Sequence, residues 1–179
     1  KLFIDNDIKT IAVSFIWSVL NPSHEIRAAQ IIKEMMPDAI ITIGSELYPQ
    51  IREYTRTSTA ITNAYLSPIL RNYVSTVNEY FISLGGVNNV RYFQSNGGLA
   101  TGKVMSDRSV YAINSGPASA PQAGLSVCKP FDYKNVITVD MGGTSFDITL
   151  TKDGNTNLNK NIDFLRYRIG IPMIQVETL

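Results

Sequence analysis

The run Val136-Ile137-Thr138-Val139-Asp140-Met141-Gly142-Gly143-Thr144-Ser145-Phe146-Asp147-Ile148-Thr149-Leu150 gathers the residue types most able to do chemistry. An apolar strand delivers a carboxylate, two glycines and two hydroxyls follow, and a second strand returns. Glycines let backbone N–H groups approach an anion closely, and Thr144 and Ser145 add donors. A carboxylate at the end of a strand can hold Mg²⁺, commonly through water, and that ion neutralises a polyphosphate. The hairpin can therefore cradle phosphate without a lysine. A plain β-hairpin whose glycines only make the turn has the same text, so residue type alone leaves both readings open. Asp147, on the return strand, either assists at the metal or satisfies the turn.

Other groups invite the same question. Ser95-Asn96-Gly97-Gly98 follows a strand, which puts its polar groups at a sheet edge where α/β proteins bind ligands, or in a tight turn. Arg52 and Arg56 stand one helical turn apart and could meet a phosphate or carboxylate as one face, with Glu53 as a competing internal partner. His24 lies in the first turn of a helix beside Glu25 and reads as a capping or surface residue. Cys128 follows an apolar helix with no base nearby and reads as a packing residue.

These groups need elements to position them. Residues 11–15 form a β-prone run. Asn21 offers an N-cap and Pro22 a first helical residue, and Ala28, Ile31, Ile32 and Met35 recur at helical spacing until Pro37. Residues 39–43 are a second buried-strand candidate, and strand–helix–strand order predicts a layered α/β architecture. Residues 49–84 read as helical, divided in two by Ser67-Pro68, and Gly85-Gly86 closes the second helix. Residues 90–94 are a strand, and a small-residue helix runs from Ser115-Gly116-Pro117 to about 127. Val136, Ile137 and Val139 are apolar on both faces and predict a strand inside a sheet. Phe146, Ile148 and Leu150 alternate with Asp147, Thr149 and Thr151, predicting one packed apolar face and one polar face. The helix should pack on this sheet with Gly116 near the loop, and 95–98 should approach the same cleft.

Bulk composition narrows the classes. Of 179 residues, 44% are hydrophobic and 17% charged, with 16 Lys+Arg against 15 Asp+Glu and no basic stripe for nucleic acid or an acidic membrane. One cysteine and one histidine make an intrachain disulfide impossible and a Cys/His zinc site a poor reading. The most apolar stretch, 11–20, is too short to span a bilayer. The text lacks a signal-peptide pattern and an initiating Met, which predicts an internal piece of a longer cytoplasmic polypeptide.

Residues 113–151 resemble the small-residue helix and second phosphate loop of the actin, sugar-kinase and heat-shock-chaperone ATPase superfamily. A narrower resemblance covers nearly the whole chain. Asn21-Pro22-Ser23-His24-Glu25, then Arg52-Glu53-Tyr54-Thr55-Arg56-Thr57-Ser58-Thr59 with Asn63-Ala64-Tyr65-Leu66, are similar to elements of hydantoinase/oxoprolinase large subunits. Gln94-Ser95-Asn96-Gly97-Gly98, Ser115-Gly116-Pro117-Ala118 and Asp140-Met141-Gly142-Gly143-Thr144-Ser145 continue the series in the family's order. Ser119 and Phe146 depart mildly from the usual text and leave the loop's donors intact.

The resemblance implies an α/β fold, a partial actin-like ATPase (ribonuclease H-like) layout with a mixed sheet and flanking helices. Residues 1–55 would end an N-terminal lobe and 56–179 begin the hydantoinase/oxoprolinase domain, each truncated. The implied activity is an ATP-dependent hydrolase of cyclic amides, opening hydantoin, 5-oxoproline or a related lactam after phosphorylation of the carbonyl oxygen. ATP and Mg²⁺ are the implied cofactors. Asp140 takes the metal and, with Asp147, the catalytic role. Gly142, Gly143, Thr144, Ser145 and Gly116 take nucleotide phosphate, while Ser95, Asn96, Gly97, Arg52 and Arg56 face the substrate. A second, hydantoinase B-like subunit is the implied partner. A ketone carboxylase subunit is the alternative within the family. A non-catalytic nucleotide switch is the alternative outside it, and the helical Arg-Glu-Tyr signature argues against that one.

Overall fold

Thr10–Val13 and Ile40–Ile43 pair in parallel, Thr10 opposite Ile40 and Val13 opposite Ile43, with the helix Ser23–Met35 crossing between them. The computed structural model describes residues 1–87, 89–164 and 166–179. Its helices are α1 (Leu2–Asp5), α2 (Ser23–Met35), α3 (Gly44–Leu47), α4 (Glu53–Ser83), α5 (Gly102–Asp107) and α6 (Ala120–Cys128). Its strands are β1 (Thr10–Val13), β2 (Ile40–Ile43), β3 (Arg91–Phe93), β4 (Leu99–Thr101), β5 (Val136–Met141), β6 (Phe146–Lys152), β7 (Asn155–Thr156), β8 (Leu158–Asn159), β9 (Ile162–Phe164), β10 (Tyr167–Ile169), β11 (Met173–Ile174) and β12 (Glu177–Thr178). The α/β class is as expected, but the parallel pair and the antiparallel pairs lie in separate sheets, so no sheet among the described residues is mixed.

The β1–α2–β2 unit has the expected order, but of the expected helical face only Ala28 and Ile32 pack, while Ile31 and Met35 are exposed. Asn21 Oδ1 accepts the Ser23 N–H at 3.1 Å, capping a helix whose apolar stripe (Ala28, Ile32, Met36) packs on Ile11, Val13 and Ala39. Glu25 lies on that same inward stripe and is fully buried. Its Oε1 accepts the Phe15 N–H at 2.7 Å and its Oε2 the Ser45 N–H at 2.9 Å. Burial alone would raise this carboxyl's pKa, but donors from Ser45, Phe15 and Ser18 outweigh it and hold the group below the ordinary glutamate value.

α4 runs unbroken for 31 residues with Pro68 inside it, so the expected division at Ser67-Pro68 is corrected. Ser67 does not cap a second helix. It is buried and donates its Oγ to the Asn63 carbonyl at 2.7 Å, the back-bonding that lets a serine sit mid-helix. Packing along both halves outweighs the one hydrogen bond that a proline deletes. At the far end Gly85 takes φ 79°, and the Gly85 and Gly86 N–H groups return to Ile82 and Phe81, ending the helix as expected. Val74 packs with Ala100 and Met105, while Phe81 and Leu84 near the end of the helix stay exposed.

β12, β6 and β5 form the C-terminal sheet in that order, with β7 turned back on β6 through Asp153-Gly154. α6 packs on β5 and β6, as expected. Two expectations about this sheet are overturned. β5 lies at the rim rather than inside, and Ile137 and Val139 are 68% and 51% exposed. The packed face of β6 is its polar one: Thr149 and Thr151 are buried and Leu150 is 60% exposed. The cause is contact with α6, where a Cβ added at Gly124 would stand 2.7 Å from Thr138 Oγ1 and 3.2 Å from Val136 Cγ1. A glycine on the helix and short branched threonines on the strands allow that approach. Alternation in sequence separates two faces but does not say which one the helix takes.

Glu25 gives the first prediction. A carboxylate with a depressed folded pKa stabilises the fold fully above the ordinary glutamate value, about 4.5, and loses that contribution as pH falls through the lower folded value. Glu25→Gln, which turns an amide onto two backbone donors, should cost about 1–3 kcal/mol near neutral pH. Urea unfolding of both proteins along a pH series should show that gap closing as the solution is acidified below the ordinary glutamate value. A gap constant from neutral pH to the acid limit would contradict the assignment.

Candidate functional site

The strand register sets the site. Asp140 stands directly opposite Asp147 across β5 and β6, so both carboxylates emerge on the same face, the one that carries Thr138 and Thr149. Asp147 Oδ1 accepts the Thr178 hydroxyl at 2.6 Å, and its Oδ2 lies 3.5 Å from Ser145 Oγ. Asp140 is exposed and takes no hydrogen bond from the described residues. Like charges facing across an antiparallel pair repel, and a cation between them removes that repulsion. Mg²⁺ suits such a pair, since it keeps several waters and takes one or two carboxylates plus phosphate oxygens. Among the described residues no group of three or more His, Cys, Asp or Glu converges, so the chain offers an open pair rather than a closed cage.

Between the carboxylates the loop is held by Gly142 N–H donating to Ser145 O at 3.0 Å. Neither Gly142 nor Gly143 takes a positive φ, so the turn does not require glycine for its backbone angles. What the glycines leave is room. A Cβ at Gly143 would meet nothing within 4 Å, and one at Gly142 would meet only Ser145 O at 3.9 Å. Gly116 is equally open. It precedes the short 3₁₀ turn Pro117–Ser119 and α6, which leads into β5 through residues 129–135. Gly124 lies over Val136 and Thr138, so α6 packs on the first half of β5.

The 95–98 segment is a tight turn joining β3 to β4. Gly97 takes φ 80°, Gly97 N–H donates to Gln94 O at 2.9 Å, and Asn96 Oδ1 accepts the Gly98 N–H at 2.9 Å. Of the two readings of this segment the backbone is the tight turn, with Asn96 Oδ1 bonded inside it. Ser95 is fully buried, its backbone bonded to Tyr111 O and Ile174 N, and its hydroxyl has no partner among the described residues. The turn does come close to the Ser-Gly-Pro-Ala segment: a Cβ at Gly97 would lie 3.8 Å from Ala118 O.

The arginines do not share a helical face, which corrects that expectation. Arg52 precedes α4 with φ 83° and is exposed. Arg56 is fully buried, its Nη1 donating to Gln50 O at 2.9 Å and its Nη2 to Phe15 O at 2.7 Å, with Glu53 Oε1 3.8 Å away. It supports the loop after β1, whose Phe15 N–H is taken by Glu25. His24 is exposed, as expected, and Cys128 is half-buried. Sequence reasoning missed Glu25 and Asn63. The available signal was their position, since Glu25 falls on the apolar stripe of α2 and Asn63 one turn before Ser67 on the inner face of α4.

The hydantoinase/oxoprolinase family model matches residues 56–179. The chain is 61% identical to the caprolactamase subunit alpha of Pseudomonas jessenii over 99% of its own length and 25% of that subunit's. It is 31% identical to the 5-oxoprolinase of Saccharomyces cerevisiae over 86% of its length and 12% of that protein's. The crystal structure of the ATP-dependent caprolactamase from Pseudomonas jessenii superposes with a TM-score of 0.89, covering 99% of this chain and 26% of that one. The chain thus spans about a quarter of the caprolactamase subunit.

The facing carboxylates can be tested without turnover. Without divalent ions, Asp140→Asn should leave the protein equally or more stable, by up to about 1 kcal/mol, because it removes a repulsion. Millimolar Mg²⁺ should raise the melting temperature of the wild type and leave the variant unmoved. Equal responses to Mg²⁺ would place the ion elsewhere.

Proposed function

The chain belongs to the hydantoinase/oxoprolinase family, and from that membership we propose that it is part of an ATP-dependent enzyme that opens a cyclic amide. The observation that carries the reading is the facing pair Asp140 and Asp147 at the mouth of a glycine loop with room for an anion. In this reading Asp140, assisted by Asp147, holds Mg²⁺. Gly143, Thr144 and Ser145 turn N–H and hydroxyl donors toward phosphate oxygens, Gly142 leaves room for the phosphate, and Gly116 lets it approach the opening end of α6. Bound Mg·ATP would supply a phosphoryl group to the amide carbonyl oxygen, which leaves the ring carbon open to water. The chain's own part is positioning and charge neutralisation, the two demands phosphoryl transfer makes. Ser95 and Gly97 support the segment beside Gly116, and exposed Arg52 is the arginine free to meet a substrate or phosphate.

The fold reading is a partial actin-like ATPase, with 1–55 ending one lobe and 56–179 beginning the next. A lactam ring opening is preferred to ketone carboxylation because the relative at 61% identity is by name a caprolactamase. That relative is named a subunit alpha, which supports a second, hydantoinase B-like subunit as partner. A single cysteine suits a reducing, cytoplasmic setting, and among the described residues no helix is long and apolar enough to cross a membrane.

The test uses the full-length protein with its partner subunit, supplied with Mg·ATP and caprolactam, 5-oxoproline or hydantoin in turn. Wild type should release ADP in step with ring-opened product from at least one of them. Asp140→Asn should lower that turnover 100-fold or more, the several kcal/mol attached to losing a metal-directed carboxylate, with unchanged circular dichroism. Wild-type turnover in the variant would remove Asp140 from the site.

A further inference from the structure

Two large side chains of this protein hang from backbone that only glycine adopts readily. Arg52 sits at φ 83° and ψ 104°, and Trp17 at φ 58°. The other described non-glycine residues with positive φ are Asp or Asn, which tolerate that region. A bulky residue there is a true outlier and persists only where its surroundings impose it. Both turns follow the carboxyl ends of parallel strands, Trp17 after β1 and Arg52 after β2. That is the end at which open α/β sheets bind ligands.

A pair of buried charges imposes the two turns. Glu25 and Arg56 are fully buried and take opposite ends of Phe15. Glu25 Oε1 accepts the Phe15 N–H at 2.7 Å, and Arg56 Nη2 donates to the Phe15 carbonyl at 2.7 Å. Each then reaches the loop after β2. Glu25 Oε2 accepts the Ser45 N–H at 2.9 Å, and Arg56 Nη1 donates to Gln50 O at 2.9 Å. Gln50 is thereby tied to the first turn of α4, and only Ile51 and Arg52 remain to bend the chain into the helix. Arg52 absorbs the bend. On the other loop Phe15 is fixed two residues ahead of Trp17, whose N–H donates to Glu53 Oε1 at 3.5 Å. Trp17 and Arg52 therefore flank Glu53, one across space and one along the chain. The holding contacts all lie among the described residues, so the strain does not depend on what covers the turns.

We infer that Glu25 and Arg56 are positioning residues, which force these turns so that Trp17 and Arg52 receive one ligand: a flat ring whose edge oxygen gathers negative charge. Resting on the reading under Proposed function, that ligand is the cyclic amide. Its ring lies on the indole face, and its carbonyl oxygen, the acceptor of the phosphoryl group, meets the Arg52 guanidinium. Arg52 forms no ion pair among the described residues, so its charge is not neutralised from within. A charge fixed in advance toward an oxygen where charge develops needs no reorganisation at the moment of reaction. Two buried charges stabilise a fold no better than apolar packing would, and what this pair sets is geometry.

The experiment is thermal melting and steady-state kinetics on the full-length protein with its partner subunit, Mg·ATP and whichever of caprolactam, 5-oxoproline or hydantoin the wild type opens. Arg52→Gly should melt no lower than wild type, because glycine relieves the strain, and should lower kcat on the order of 100-fold. Trp17→Ala should raise KM roughly 5-fold and move kcat less, the mark of a contact made before and during reaction. Arg56→Lys keeps the charge and loses the fork, and should lower kcat on the order of 10-fold beside Arg52. In the Arg52→Gly protein the same substitution should change kcat little, since nothing is left to position. If Arg56→Lys fails to fold by circular dichroism, Glu25→Gln takes its place in the cycle. A lower melting temperature or wild-type kcat in Arg52→Gly overturns the inference, as does an equal loss from Arg56→Lys in both backgrounds. Those results with an inactive Asp140→Asn leave the cyclic-amide reading standing. A wild type that opens no lactam overturns that reading and this inference with it.

Discussion

The segments packed around α4 are organised by one requirement, the pairing of backbone groups that pass through the interior outside regular ladders. A buried N–H or carbonyl without a partner costs about as much as a lost hydrogen bond, and connecting segments accumulate such groups. Here the inner face of α4 supplies the partners. Arg56 takes the carbonyls of Phe15 and Gln50. Asn63 takes the Asp107 carbonyl and the Val110 N–H, and also reaches Thr42 Oγ1. Ser58 donates to the Arg168 carbonyl, and Thr59 accepts the Gly170 N–H at 2.8 Å. The helix works as a peg whose side chains close the open valences of five surrounding segments. That is why its polar residues point inward and its apolar ones are left outside.

The hairpin depends on a different contact and is mechanically simpler. α6 lies on β5 and β6 through Gly124 and a bed of threonines, so the strands are fixed from one side and the loop projects from their ends. The cost is visible in the buried hydroxyls of Thr138 and Thr149, which have no partner among the described residues. Threonine at these places supplies branched bulk more than hydrogen bonding. The opposite face of the same strands carries Ile137, Val139 and Leu150 bare, so the sheet has a dressed side and an undressed one.

Much of this was legible in the sequence. Periodicity and caps located β1, α2, β2, both strands of the hairpin and the end of α4 at Gly85-Gly86. Residue chemistry singled out Asp140 and the glycines after it, and the register then set Asp147 opposite. What stayed hidden shares one physical cause: tertiary contact decided between local alternatives of equal propensity. Ser67-Pro68 opens a helix in isolation, yet here both sides of it are packed, so the helix continues. Thr149 and Leu150 alternate in a way that fits either orientation, and only Gly124 selects the polar one. Arg56 carries the residue type of an anion ligand, but the carbonyls around it are fixed by loops distant in sequence. Asn96 and Gly97 make the turn that their text permits, and no local signal told that apart from a ligand-facing loop.

The bonds that α4 makes with residues 168 and 170 join partners more than a hundred positions apart in the chain. A ribosome adding about 5–20 residues per second leaves roughly 5–20 seconds between the emergence of Ser58 and Thr59 and that of the segment they hold. Through that interval the hydroxyls that later meet Arg168 and Gly170 have only the Thr55 carbonyl of their own helix, or water, to bond. Gly170 itself can be nothing larger, since a Cβ there would collide with the Tyr48 ring and with Thr55. Docking of this segment then threads a glycine into a slot that α4 has held open since the helix left the ribosome. A delay or a bulky misreading at that codon would strand the helix with its polar face wet.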